Sequence, residues 1–249
     1  MKLRTIFWFW LPLAFSWLLM TFEGPWIQGV ITRKPDPELQ LAAFGLVMSL
    51  SVTIEAPVIM FLAVGSALAR DRQSYQVLWR YTMIVNLIVT FVAVLMAWTL
   101  LLDLYLGDIL GIPPQIIDAT RPGMTIMILW SGFIGYRRFH QGVLINHGRT
   151  RTIGTGTVLR IVASVSVAVL LGVASELPGA VIGACSLMVA VFVEMLYVHV
   201  ISRVDIRQLM ADRPGRRWLI PPVGSHIANA LRQPYADAMI GSSQAHSVV

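Results

Sequence analysis

Two pentads of one pattern, Thr21-Phe22-Glu23-Gly24-Pro25 and Thr53-Ile54-Glu55-Ala56-Pro57, each lie inside a long apolar run. T-x-E-x-P sets a carboxylate two residues before a proline. In hydrocarbon that carboxylate needs a proton, a cation or water, at about 2.5–3.5 kcal/mol on insertion scales. The proline has no N–H, so the carbonyl of Thr21 or Thr53, four residues back, loses its helical donor and the helix kinks. Broken backbone is not tolerated against lipid, so both points are expected to line a protein interior or a wet cavity. Glu194 and Asn86 stand in other apolar runs. The chemistry open to Glu23, Glu55 and Glu194 is binding and releasing H⁺, or helping to hold Na⁺, as helices move. Thr21, Pro25, Thr53, Pro57 and Asn86 complete the candidate ion-coupling or substrate cavity. The bland alternative is a static hydrogen bond between helices, and for Asn86 that is the expected use.

These residues need helices that cross a bilayer. The chain has 249 residues, 56% of them hydrophobic and only 13% charged, against about 25% charged in ordinary soluble domains. A crossing takes about 20 apolar residues. Six stretches qualify, at roughly 6–31, 39–66, 77–102, 122–145, 153–173 and 178–201. The predicted fold is an all-α membrane protein of six transmembrane helices, residues 1–201, followed by a basic, partly disordered tail over 202–249. Met1-Lys2-Leu3-Arg4 and the apolar run after it imitate a signal peptide, but no small-x-small cleavage site follows, so the first span is kept.

Charge gives an orientation. Lys2 and Arg4, Arg70, Arg72 and Arg80, then Arg137, Arg138, Arg149, Arg151 and Arg160, and the six arginines from Arg203 to Arg232 make sixteen of the nineteen basic residues. All sixteen fall on one side of the predicted topology, which makes both termini cytoplasmic. The expected location is the plasma membrane, or the inner membrane in a Gram-negative cell. The net charge of +6 is spread over several loops beside spans. Lipid phosphate is its simplest partner, and no nucleic acid is expected.

Finer patterns place the helices. Gly45, Ser49 and Thr53 form a small-residue stripe that lets another helix approach closely. Gly179, Gly183, Ser186, Ala190 and Glu194 form a second stripe, ending at a carboxylate. Trp8, Trp10 and Trp17 lie in the first half of the first span and Trp26 towards its far end, and the outer members are the expected interface anchors. Residues 103–122 read as a short interfacial helix and turn. Arginines cannot face lipid at depth, so around Tyr136-Arg137-Arg138 either the fourth span emerges or it faces protein. At about 1.5 Å per residue, Glu23 lies about 25 Å from the inner end of its span. Glu55 and Glu194 lie about 24 Å from the outer ends of theirs, lower than Glu23.

Other chemistry is excluded by motif. There is no H-E-x-x-H, G-x-S-x-G, Walker loop or dinucleotide fingerprint. His140 and His147 read as cytoplasmic surface residues, with no carboxylate or cysteine at ligand spacing. Cys185 is the lone cysteine, so no disulfide or cysteine-based metal site forms within one chain. No enzyme activity, metal or cofactor is expected, with H⁺ or Na⁺ the candidate coupling ion.

Leu11-Pro12-Leu13, and Gln141-Gly142 followed by Gly148-Arg149-Thr150-Arg151, resemble the MATE-type transporters of the multidrug/oligosaccharidyl-lipid/polysaccharide flippase superfamily. Glu23, Val158-Leu159-Arg160-Ile161 and the small-residue run to Glu194 are closer to the progressive-ankylosis family within it. The likeness covers roughly residues 8–200. It implies a helical bundle that exports or flips organic solutes by alternating access, with two six-helix lobes in complete members. This chain supplies one lobe, and Ile27 stands where many MATE proteins carry a first-helix aspartate. The resemblance therefore implies a half-size transporter, antiporter or flippase for a small organic or lipid-linked solute. It would work as a parallel homodimer or with a second half-size chain. Arg137, Arg138, Arg149 and Arg151 would line its cytoplasmic rim. A non-transporting membrane scaffold or accessory subunit is the alternative, and an intramembrane enzyme the third.

Overall fold

Prolines and caps mark where the helices begin. Pro37 and Pro114 each sit in a first turn, where a missing N–H costs nothing. Asp71 accepts from the Ser74 amide at 2.8 Å while Ser74 Oγ accepts from the Asp71 amide at 3.2 Å, a reciprocal cap. The computed structural model describes residues 3–211, and of these all side chains except those of 3–10, 12, 13 and 15–17. They form α1 (Leu3–Ile31), α2 (Pro37–Ile59), α3 (Phe61–Leu68), α4 (Arg72–Trp98), α5 (Leu101–Asp103), α6 (Pro114–Ile126), α7 (Trp130–Asn146), α8 (Thr150–Ala174) and α9 (Gly179–Ala211). No strand occurs among the described residues.

Four rods are long and apolar enough to cross a membrane: α2 with α3, α4, α8 and α9. Their outward surfaces are apolar, as Leu87, Ile88 and Phe91 on α4 and Val162, Leu170 and Val173 on α8 illustrate. Such a surface suits lipid and not water. The expected boundaries need correction in three places. The second span is not one helix but breaks at Met60, three residues past Pro57. The fourth begins at Pro114, eight residues before the expected start, holds Pro122 inside α6 and tightens to a 3₁₀ turn at Met127–Leu129. The 103–122 segment is thus a π-helical turn (Leu104–Ile109) plus the first turns of α6. The last helix runs ten residues beyond 201, and residues 212–249, with most of the expected tail, lie outside the described ones. So do the side chains of Trp8, Trp10 and Trp17.

Contacts between turns define two ends. At one end Asn146 Nδ2 donates to the Ala69 carbonyl at 2.8 Å and Arg149 pairs with Asp205 at 2.9 Å. These bonds join the α3–α4 turn, the α7–α8 turn and the last part of α9. At the other end Lys34 Nζ donates to the Ser175 carbonyl at 2.5 Å, and Gln40 Oε1 accepts from the Ala180 amide at 3.0 Å.

The α9 stripe packs as expected. A methyl at Gly183 would meet the Phe44 ring at 2.5 Å, and one at Gly179 the Ile31 side chain at 2.7 Å. The α2 stripe does not. Gly45, Ser49 and Thr53 face outward, and nothing lies within 4 Å of a methyl built on Gly45. A close helix approach is found instead at α3 and α7, where Gly142 would carry its methyl 2.6 Å from the Leu62 carbonyl and 2.9 Å from the Gly65 Cα. Backbone meets backbone there, with no flexible side chain to yield.

Gly142→Ala should therefore destabilise the bundle by about 1–3 kcal/mol through overpacking, while Gly45→Ala should be neutral or stabilise by up to about 1 kcal/mol. Thermal unfolding of the two variants in detergent checks the contrast.

Candidate functional site

The helices bring five polar side chains from α1, α7, α8 and α9 to one dry place. Arg160 on α8 pairs with Glu23 on α1, its Nη2 at 2.7 Å and its Nε at 3.4 Å from the two carboxylate oxygens. The same guanidinium reaches Glu194 on α9 at 3.9 Å. Glu194 is closed from the other side by Arg137 on α7 through a direct ion pair, and Gln141, one turn on, donates to its second oxygen at 3.0 Å. The result is an alternating row, Glu23–Arg160–Glu194–Arg137. Glu23 is 3% exposed, Glu194 2% and Arg137 1%, so water contributes almost nothing to its solvation.

Glu55 joins this row through an aromatic ring. Trp130 Nε1 donates to Glu55 Oε2 at 2.5 Å, and the Arg160 guanidinium lies 5.8 Å from the centre of the same ring. A cation over an indole face is attracted by the ring quadrupole. Arg137, Arg138 and Arg160 are all near enough to act on the Glu55 charge. Among the described residues none forms an ion pair with it, so its direct partner is a neutral N–H. Three arginines thus balance three glutamates within five helices.

Local geometry explains which way each pentad faces. Successive residues of an α-helix are about 100° apart, so residues two apart point to nearly opposite sides. Glu23 and Glu55 are buried while Thr21, Pro25, Thr53 and Pro57 are exposed. This corrects the expectation that each pentad turns as a unit towards one cavity. Thr53 Oγ1 donates to the Ser49 carbonyl at 2.8 Å, a local bond on the outer face.

The expected cytoplasmic rim also divides. Arg137 is inside the bundle and Arg138 is half-buried, so this stretch of α7 faces protein. The reason is Glu194, which offers Arg137 a partner that no loop position supplies. Arg149 and Arg151 do sit at the end of the bundle, the first bonded to Asp205 and the second exposed. His140 is corrected as well: it is buried, stacked on Tyr136 at 4.2 Å and bonded to the Tyr136 carbonyl at 2.9 Å. His147 is exposed beside the α7–α8 turn. Asn86 donates to the Gly132 carbonyl at 3.3 Å, joining α4 to α7. A methyl on Gly135 would fall 1.9 Å from the Asn86 oxygen, so that glycine makes room for the amide.

Three members of the site had not been marked as such: Trp130, Gln141 and Arg160, the last expected only among the cytoplasmic-side arginines but buried between Glu23 and Glu194. Gln141 stands one turn after Arg137 on the same face, a spacing that was readable. Trp130 had no comparable signal. Arg137 Nε and Gln141 Oε1 have no hydrogen-bond partner among the described residues. The site therefore keeps one donor and one acceptor beyond those its own bonds use.

The chain matches no family model, no curated protein and no solved structure.

Breaking a buried pair by removing one partner costs about 3–5 kcal/mol, whereas removing both can be neutral. Arg160→Met should therefore lower stability strongly, and Glu23→Met/Arg160→Met should recover most of the loss. Denaturant unfolding of the two variants, followed by tryptophan fluorescence in micelles, measures the difference.

Proposed function

We propose that this chain is a half-size membrane transporter or flippase that moves a small organic or amphipathic solute by alternating access. The observation that carries the reading is the buried row of alternating charges. Stability alone does not call for it, because well-packed apolar side chains can replace a buried ion pair at no loss. Ionisable groups inside apolar helices are by default taken to mark pathways or relays. Here one cation, Arg160, is shared between Glu23 at 2.7 Å and Glu194 at 3.9 Å. Neutralising either acid hands the guanidinium to the other and changes the tie between α1 and α9. That is the kind of two-position element an alternating cycle needs.

H⁺ suits this site better than Na⁺ as the coupling ion. A sodium ion would need several oxygens beside guanidinium groups that repel it, and a proton needs one oxygen. Glu55, buried and without an ion pair among the described residues, is the group we assign to that proton. Six membrane-crossing rods, with α1 and the α6–α7 rod joining the four apolar ones, and both termini in the cytoplasm complete the topology. The charge asymmetry supports that orientation. A second copy, related by a two-fold axis along the membrane normal, or another half-size chain, would supply the facing lobe. The plasma membrane, or the inner membrane of a Gram-negative cell, is the proposed location.

A scaffold is the second reading. One observation favours it: Glu23 and Glu194 find their counter-ions within this one bundle, so their charges require no facing lobe.

Proteoliposomes separate the two. The probes are fluorescent phospholipids read by dithionite quenching and a panel of amphipathic amines, each with and without an imposed pH gradient. A transporter moves at least one probe faster under the gradient, and Glu55→Gln lowers that component about tenfold or more, equivalent to ~1.4 kcal/mol. Movement equal to empty liposomes across the panel leaves the scaffold. Gradient-driven movement untouched by Glu55→Gln removes Glu55 from the mechanism. The mass of the protein in micelles should correspond to two copies of the 27.6 kDa chain or to a heteromeric pair.

A further inference from the structure

Among the residues whose side chains are described, the bundle end that joins the α3–α4 turn, the α7–α8 turn and the last part of α9 carries seven arginines and no lysine: Arg70, Arg72, Arg80, Arg149, Arg151, Arg203 and Arg207. Its two described acids are already occupied. Asp71 caps α4, and Asp205 is buried against Arg149. Arg70 spends its Nε on the Ala67 carbonyl, and Arg203 points two nitrogens at His199. Arg72, Arg80, Arg151 and Arg207 are exposed and have no bonded side-chain partner among the described residues.

Charge alone would not choose arginine. Lysine serves equally well where only sign matters. Arginine offers a flat fork of N–H donors that matches two oxygens of a phosphate, and its ion is less strongly hydrated. The depth also fits. The 33 residues of α9 make a rod of about 50 Å, against about 30 Å of hydrocarbon, so an end of it stands among head groups. Arg203 and Arg207 lie in its last turns, and Arg80, two turns into α4, reaches the same layer by extending along its apolar stem.

We propose that this end of the bundle is a phosphate-binding face that seats the head groups of anionic phospholipids. The proposal rests on the membrane character of the long apolar helices and not on transport, so a failure of either leaves the other standing. Arg72, Arg80, Arg151 and Arg207 make the open contacts. Arg149 holds the α7–α8 turn, which carries Arg151, to α9.

The full chain in neutral-detergent micelles is titrated with short-chain phosphatidylglycerol or, separately, phosphatidylcholine, and retained lipid is counted by native mass spectrometry. The expected preference for phosphatidylglycerol is about fivefold or more, weakening as salt rises. Inorganic phosphate added at constant ionic strength should leave most of it in place. The fourfold variant R72Q/R80Q/R151Q/R207Q should lose the preference, and R72K/R80K/R151K/R207K should keep less than half of it. Equal retention of the two lipids by the unaltered chain overturns the proposal, and needs no variant to fold. So does a lysine variant equal to the unaltered chain, since sign alone would then suffice. Displacement of phosphatidylglycerol by inorganic phosphate would overturn the commitment to lipid.

Discussion

Arg160 lies between two carboxylates that no water solvates, and the helices α1, α7, α8 and α9 are arranged around that fact. A charge in a dry interior is expensive unless an opposite charge stands beside it. Glu23 needs Arg160, and Glu194 needs Arg137 with part of Arg160. No one of these helices can shift far without leaving a charge exposed to low dielectric. The small residues Gly179, Gly183, Ser186 and Ala190 bring α9 close to α1 and α2, which delivers Glu194 to the row.

The centre of the arrangement is α7. It supplies Trp130, Arg137 and Gln141 to the site, receives Asn86 beside Gly132 and Gly135, and meets α3 at Gly142 with backbone against backbone. Its polar residues Ser131, Arg137, His140 and Gln141 are buried, and Arg138 is half-buried. The outer helices turn mostly apolar residues outward, as on α4 and α8. This inside-out distribution is what a lipid solvent selects, since the apolar exterior costs nothing there and the polar interior can satisfy itself.

Much of this was legible in the residues. Long apolar runs announced helices, while the proline and cap residues that open α2, α4 and α6 went unused, and the expected starts at 39, 77 and 122 fell inside those helices. The pairing of acids with an inward face was readable too, because carboxylates cannot face hydrocarbon. Two residues along a helix are about 200° around it, so Glu and Pro in T-x-E-x-P must look opposite ways. That spacing rules out a shared cavity face without any structure. The rim assigned to Arg137 failed for another reason: position near a span end was read as exposure, while the partner that buries it lies 57 residues away. His140 went the same way, drawn inside by Tyr136 and Trp79.

The sequence by itself determined the class of solvent, the helical period and the charge asymmetry between the two ends, because each depends on composition and local spacing. Only the tertiary structure decided which acid meets which arginine. Glu23 and Arg160 are 137 positions apart, and nothing in local chemistry distinguishes one basic residue in an apolar run from another. Pairing is a property of helix packing, set by where small residues let helices approach and where a long guanidinium side chain can reach.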